Sequence, residues 1–499
     1  MKLFPTHFIL MFIISITIAG CAVDQDFRLP DIATPSQYTT SSLPAQAAKA
    51  PSESVSVQHF ALDKDLPGDW WTLFGSPELD QMIKQGLVDS PTLAAAQAAL
   101  RKAEEDLRAL KGSILYPAVD ANLQTSRQRT SGNASTGASD TFNLYNTSVG
   151  VSYTLDIFGG GRHQIESYQA QIDYQKYQYE ATYLTLTANI VTTAIQEASL
   201  RAQLNAKKEI IEIQQKQLDV INKQFELGAV TKAEILSQET EVAMTKAELP
   251  AIEKQLYLTR HALSVMIGKF PGYEKLPEFN LESLRLPKKL PVSLPSNLAR
   301  QRPDVRAAEA LLHQACASVG VATANLYPQI TLSAGYGFEA VSTGILFNGQ
   351  SVIWNFGAGL LQPIFRGGEL TAKRKSAIAY YDQATAQYKQ TVLTAFRDVA
   401  DVLRTLESDA RTLQAQAQAE AAAKSALELI KKQYELGAVS YIALLIAQRD
   451  YQKTRINVIV ARAQRYADTA ALFQALGGGW WNREETSLNA KLIREENEE

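Results

Sequence analysis

Thiols are nearly missing from this 499-residue chain, which has only Cys21 and Cys316. A disulfide framework is therefore excluded. The five histidines (His7, His59, His163, His261, His313) are scattered, with no i, i+4 pair, so no metal site is expected. The formal charge of −3 supplies no basic surface for nucleic acid. No nucleophile stands in a pattern with a base. Phe158-Gly159-Gly160-Gly161-Arg162 follows a strand pattern and opens a helix, but lacks the Lys-Ser/Thr of a phosphate loop. The sequence thus points to no enzyme and no cofactor. Glycine and proline are absent from 162–227 and from 369–436, stretches of 66 and 68 residues.

No apolar run is long enough for a membrane-spanning helix. Lys2 is followed by an apolar stretch from Phe8 to Ile18, the pattern of a secretory signal, here 1–20. It ends Ile18-Ala19-Gly20-Cys21, which resembles a bacterial lipobox. That implies acylation of Cys21, palmitate included, and Ala22 in place of aspartate implies sorting to the outer membrane. One acyl chain holds marginally, at ~0.8 kcal/mol per buried methylene, whereas several hold firmly. Residues 21–69, rich in Ser, Pro, Ala and Gln, read as a lipid-anchored extended segment. With Cys21 acylated, Cys316 in its alanine-rich helical pattern reads as an inert core residue.

What the chain does have, it has twice. Gln224–Leu236 reads QFELGAVTKAEIL and Gln433–Leu445 reads QYELGAVSYIALL, 209 positions on. Leu115-Tyr116-Pro117 returns as Leu326-Tyr327-Pro328, and Phe158-Gly159-Gly160 as Phe365-Arg366-Gly367. Such spacing marks an internal duplication. The first repeat is placed at 70–270 and the second at 301–481, with a linker at 271–300 and an acidic tail at 482–499.

The stretches free of glycine and proline carry helical apolar stripes, such as Tyr388, Val392, Phe396, Val399, Leu403 and Leu406. At 1.5 Å per residue each would reach ~100 Å. Each ends at Leu-Gly-Ala-Val, where Gly228 and Gly437 suit a left-handed cap. Thr231 and Glu234 have capping-box spacing. The spacing predicts antiparallel hairpins over 162–267 and 369–476 with coiled-coil packing, and a kink or restart at Pro250. Short helices are expected near 92–112 and 303–324.

Period-two alternation predicts four strands, near 114–126, 143–157, 326–339 and 351–364, with no other strand in the chain. Val352, Trp354, Phe356, Ala358 and Leu360 alternate with Ile353, Asn355, Gly357, Gly359 and Leu361. About ten residues is the length that crosses an outer membrane when tilted. A small, polar second face suits a water-filled lumen, although a soluble sandwich would share the alternation. A barrel in lipid has no free edge. Four strands per chain then require several copies: two fill their own interior, and three, a homotrimer with twelve strands, are the smallest number that leaves a conduit, with larger rings still open.

The order lipobox, Trp70-Trp71-Thr72-Leu73-Phe74, twin Leu-Gly-Ala-Val tips, Arg302-Pro303-Asp304-Val305-Arg306 and Gly477-Gly478-Gly479-Trp480-Trp481 resembles the TolC-type outer-membrane factors, closest to the NodT-like lipoprotein branch. The resemblance covers essentially the whole mature chain. It implies a mainly α fold with membrane β: a trimeric 12-stranded β-barrel continuous with a long periplasmic α-helical barrel. It also implies a passive outer-membrane duct for drugs and toxic compounds, a periplasmic adaptor, and an inner-membrane pump of the resistance-nodulation-division type.

By the same resemblance, Leu227, Gly228, Ala229, Leu436, Gly437 and Ala438 are the adaptor-docking tips; helix caps alone would explain only the glycines. The periplasmic constriction matches Ala443 and Ile446, where relatives often carry acids. An apolar gate and ordinary helix packing of Ile446 are both open. A protein-secretion duct and a lipid-anchored coiled-coil scaffold are the competing readings of the whole.

Overall fold

The computed structural model describes residues 27–30, 38, 58–62, 64–131, 139–272, 276–292 and 295–483. Cys21, the signal peptide and most of the acidic tail lie outside them. The described residues form two compact units. One holds Ala99–Lys176 and Ala307–Lys389; the other holds Tyr177–Arg306, Gln390 onward and the described part of 32–98.

The strands are β1 (His59–Leu62), β2 (Ala118–Arg129), β3 (Thr141–Leu155), β4 (Lys289–Val292), β5 (Gln329–Ala340) and β6 (Val352–Leu361). The helices are α1 (Pro77–Asp89), α2 (Pro91–Leu115), α3 (Gly160–Glu226), α4 (Lys232–Met266), α5 (Pro295–Gln301), α6 (Pro303–Ala324), α7 (Glu369–Glu435) and α8 (Tyr441–Ala475). α3 and α7 are each unbroken for 67 residues, and α4 and α8 for 35. Their lengths repeat, as a duplicated chain requires.

In the first unit β2, β3, β5 and β6 form one antiparallel sheet in that order, leaving one edge of β2 and one of β6 unpaired. Below the strands α3 and α6 are tied by Glu166. Its two carboxylate oxygens meet His163 Nδ1 at 3.0 Å and His313 Nε2 at 2.8 Å. These ion-pair-like contacts hold the Glu166 carboxyl below its usual range against the opposing effect of burial. Phe27 stacks on the His313 ring at 4.4 Å. Sequence scatter hid this convergence, yet no group among the described residues could hold a metal ion.

In the second unit an aromatic core gathers Trp70, Phe74, Tyr466 and Phe473, with Trp70 and Phe473 rings 5.6 Å apart. Trp71 donates its indole N–H to Asp80 at 3.0 Å. Glu197, wholly buried, accepts from Arg201, from Arg260 at 2.9 Å and from the Phe279 backbone N–H at 3.1 Å. It thereby fastens the inter-repeat segment to α3 and α4, and a buried carboxylate needs such partners. Arg302 pairs with Asp304 at 2.7 Å and Asp398 at 3.2 Å and donates to the Ala475 carbonyl at 3.1 Å. Asp304 therefore serves an ion-pair knot.

Four expectations need correction. β1 and β4 pair in parallel in the second unit, although no further strands were expected. At four residues each they are too short to show a period. β2 begins at Ala118, not near 114, because α2 runs on through Leu115 to the helix-stopping Pro117. α4 does not restart at Pro250 but passes through it as one element; Pro250 is exposed, so solvent can satisfy the carbonyl that its missing N–H frees. Finally, the Phe-Gly-Gly match at offset 207 is not the structural equivalence. Helices α3 and α7 start 209 apart, as do the two hairpin tips.

Candidate functional site: a two-faced membrane sheet and paired hairpin tips

The sheet has one face fit for lipid and one fit for water. Register places Val119, Val151, Ala334 and Phe356 in one row, and Ala121, Val149, Tyr336 and Trp354 in the next. These outward side chains lie open: Leu123 is 77% exposed, Trp354 75% and Phe356 74%. An apolar patch of that extent is costly in water and natural in a bilayer. The alternate rows read Asp120, Gly150, Gly335, Asn355 and Asn122, Ser148, Gly337, Ile353. They line a cavity shared by all four strands. Gly337 is required there, because a Cβ would come within 2.6 Å of the Ser148 Cβ.

The hairpin tips belong to the second unit and are built alike. Gly228 has φ +73° and Gly437 +72°, the left-handed region that glycine enters without penalty. The Ala229 N–H donates to the Gln224 carbonyl and the Ala438 N–H to the Gln433 carbonyl, both at 2.8 Å. Both ends are thus Schellman caps. Thr231 and Glu234 form a capping box at the start of α4, and Ser440 caps α8 through the Ala443 N–H. The caps explain the glycines. They do not explain Leu227, 85% exposed, and Leu436, 84% exposed, which touch solvent at the two apices.

Behind the tips one apolar cluster joins the two hairpins: Ile221, Ile235, Tyr441, Leu444 and Leu445 are buried together. Tyr441 donates its phenol to Gln238 Oε1 at 2.5 Å, and burial pushes that phenol far above its ordinary range. Arg449 grips Glu241 with two hydrogen bonds, 2.7 and 3.3 Å, and Gln448 donates to Gln217 at 2.8 Å. These cross-hairpin locks were not singled out from sequence. A Tyr or Arg within a helical stripe gives no sign of a partner about 200 residues away. Ala443 is half-buried at the start of α8, and Ile446 is 53% exposed, whereas Leu444 and Leu445 before it are buried.

The model of the family described as "Outer membrane efflux protein" matches residues 82–269 and 294–478. The chain belongs to the outer membrane efflux protein family. It is 31% identical over 417 residues to the pyoverdine export outer membrane protein OpmQ of Pseudomonas aeruginosa, covering 82% of this chain and 87% of that one. It is 27% identical to the cation efflux system protein CusC of Escherichia coli K12, over 94% of this chain and 99% of CusC. The solved outer-membrane channel OprN superposes with a TM-score of 0.81 at 24% identity, over 91% of this chain and 99% of that one. The mainly α fold with membrane β, expected from the repeats, is the fold of these channels. The chain is the outer-membrane channel component of an efflux system.

Proposed function

We propose that three copies close a twelve-stranded barrel around a water-filled lumen, and that acylated Cys21 tethers each copy to the outer membrane. The observation that carries this reading is the sheet itself: apolar and exposed on one face, polar on the other, with both edges unpaired. An open edge is untenable in lipid, and further copies are the way to cover it.

Leu227, Gly228 and Ala229, with Leu436, Gly437 and Ala438, form the surface that meets a periplasmic adaptor. Exposed leucines at two matched apices support that role, since a monomer gains nothing from them. An inner-membrane pump, of the resistance-nodulation-division type, supplies the energy. The duct is passive and carries small molecules; relatives exporting pyoverdine or cations differ in cargo while sharing this fold. Ala443 and Ile446 form the periplasmic constriction, closed by apolar contact. Opening shifts the hairpins between two packings and requires locks such as Tyr441–Gln238 and Arg449–Glu241 to yield.

Thiol crosslinking from Leu227→Cys and Leu436→Cys in intact cells tests the docking assignment. Crosslinks to a periplasmic adaptor, absent when cysteine is placed at exposed Lys84, support it. Capture from Lys84→Cys as efficient as from the two tips contradicts it. Mass spectrometry of the mature N-terminus tests the acyl chains on Cys21.

A further inference from the structure

The duplication fixes how neighbouring copies join. In the first unit Ala118 pairs with Ser152, Val119 with Val151 and Asn122 with Ser148. Moved by 211 positions on the first strand and 209 on the second, these become Gln329 with Leu361, Ile330 with Leu360 and Ser333 with Gly357. All three are observed pairs of β5 with β6. The two offsets are those of the Tyr116/Tyr327 and Gly228/Gly437 landmarks. The two repeats therefore build their hairpins in the same register.

The seam between the repeats, β3 against β5, has no counterpart within one chain. Its equivalent is β6 against β2, and each of these carries an unpaired edge. We infer that β6 of one protomer pairs with β2 of the next in the register of the β3–β5 seam, and that β6 lengthens on assembly to Ile364. This rests on the trimeric channel reading and adds the register to it. The observed pairs Val151 with Ala334, Thr147 with Phe338 and Leu155 with Ile330 transpose directly. They become Leu360 against Leu123 of the partner subunit, Phe356 against Arg127 of the partner subunit, and Ile364 against Val119 of the partner subunit.

Three features of the single chain agree. The transposed register keeps the faces: Leu360 and Leu123 both lie on the apolar side, and both are exposed in the single chain, at 67% and 77%. A slip of one residue would turn every such side chain to the wrong face. Ile364 is 94% exposed just past the end of β6, although its repeat equivalent Leu155 still lies within β3. Pairing with the partner's Val119 would cover it. On the polar side Gly357 would face the partner's Ser126, as Gly337 faces Ser148 within the chain. A serine beside a glycine is the combination that fits the crowded inner face.

Disulfide trapping in the full-length protein tests the register. On a Cys316→Ser background, Leu360→Cys is combined in turn with Val119→Cys, Ala121→Cys, Leu123→Cys, Thr125→Cys or Arg127→Cys. Successive partners on one face stand ~7 Å apart along the strand. Oxidised, the Leu360/Leu123 pair should give covalent dimers and trimers at least about tenfold more efficiently than the Val119 or Arg127 combinations. Co-expressing the two single variants should trap the same dimer, which shows that the bond joins two chains. A maximum at Ala121 or Thr125 overturns the register while leaving the trimer standing. If every combination stays uncrosslinked in a protein that still runs as a trimer, β6 does not meet β2. A protein that runs as a monomer overturns the channel reading itself.

Discussion

Neighbouring residues on β2 should respond oppositely to the same charge. Leu123 points to the apolar face and Asn122 to the polar one. Arginine on the lipid face near the bilayer midplane costs ~2–4 kcal/mol. Three copies of Leu123→Arg would then remove ~6–12 kcal/mol from a trimeric barrel, against a typical net stability of ~5–15 kcal/mol. Leu123→Arg should therefore fail to assemble in lipid. Asn122→Arg should assemble and instead lower the conductance and shift selectivity toward anions, since it sets three positive charges in the lumen. Heat-modifiability of protein recovered from the outer membrane reads assembly, and ion selectivity in a planar bilayer reads the lumen. Equal assembly of both variants, or failure of Asn122→Arg alone, would refute the assignment of the faces. A soluble sandwich with a buried apolar face would also lose Leu123→Arg, but its Asn122→Arg would leave no electrical signature.

Four further outcomes follow from the second unit. Gly437→Ala meets no neighbour within 4 Å, so its cost is the left-handed backbone alone, ~1–2 kcal/mol; faster amide exchange confined to the tip checks it, and unchanged exchange contradicts it. Tyr441→Phe leaves the Gln238 carbonyl oxygen without the phenol and should loosen the hairpin junction by ~1–3 kcal/mol, seen as faster exchange around 235–245. Ile446→Asp should raise the resting conductance, and an unchanged resting conductance removes Ile446 from the gate. Burial and the neighbouring Asp468 carboxyl push half-buried Asp409 up from 3.8 to about 7. A raised carboxyl favours the folded state fully below the unfolded value of ~4 and loses that contribution as pH rises through about 7. The thermal midpoint of Asp409→Asn should therefore gain on the parent protein between pH 5 and pH 8; a constant difference would show that Asp409 does not titrate there.

Much of the fold was legible because its signals are long. Sixty-odd residues without glycine or proline admit few readings besides a helix, and the twin Leu-Gly-Ala-Val ends mark both caps. Ten-residue alternation declared the four membrane strands and the polar parity of their inner faces. What stayed hidden is short or nonlocal. β1 and β4 span four residues each. The Glu166 bridge joins His163 to a histidine 150 positions away, and Arg449 meets Glu241 across 208 positions. Such contacts depend on register between helices, which one sequence does not print. The Phe-Gly-Gly match misled by two residues because similar letters line both strand-to-helix turns, whereas backbone pairing follows the 209 offset. The tip leucines stood out through repetition, and the structure adds that they are exposed.

Single-channel recording from the purified, full-length protein in a planar lipid bilayer tests the conduit most directly. Discrete, long-lived conductance steps from a trimeric preparation, abolished by Leu123→Arg and altered in selectivity by Asn122→Arg, are the predicted result. A stable trimer that inserts into the bilayer yet passes no current, even with Ile446→Asp at its constriction, would contradict it.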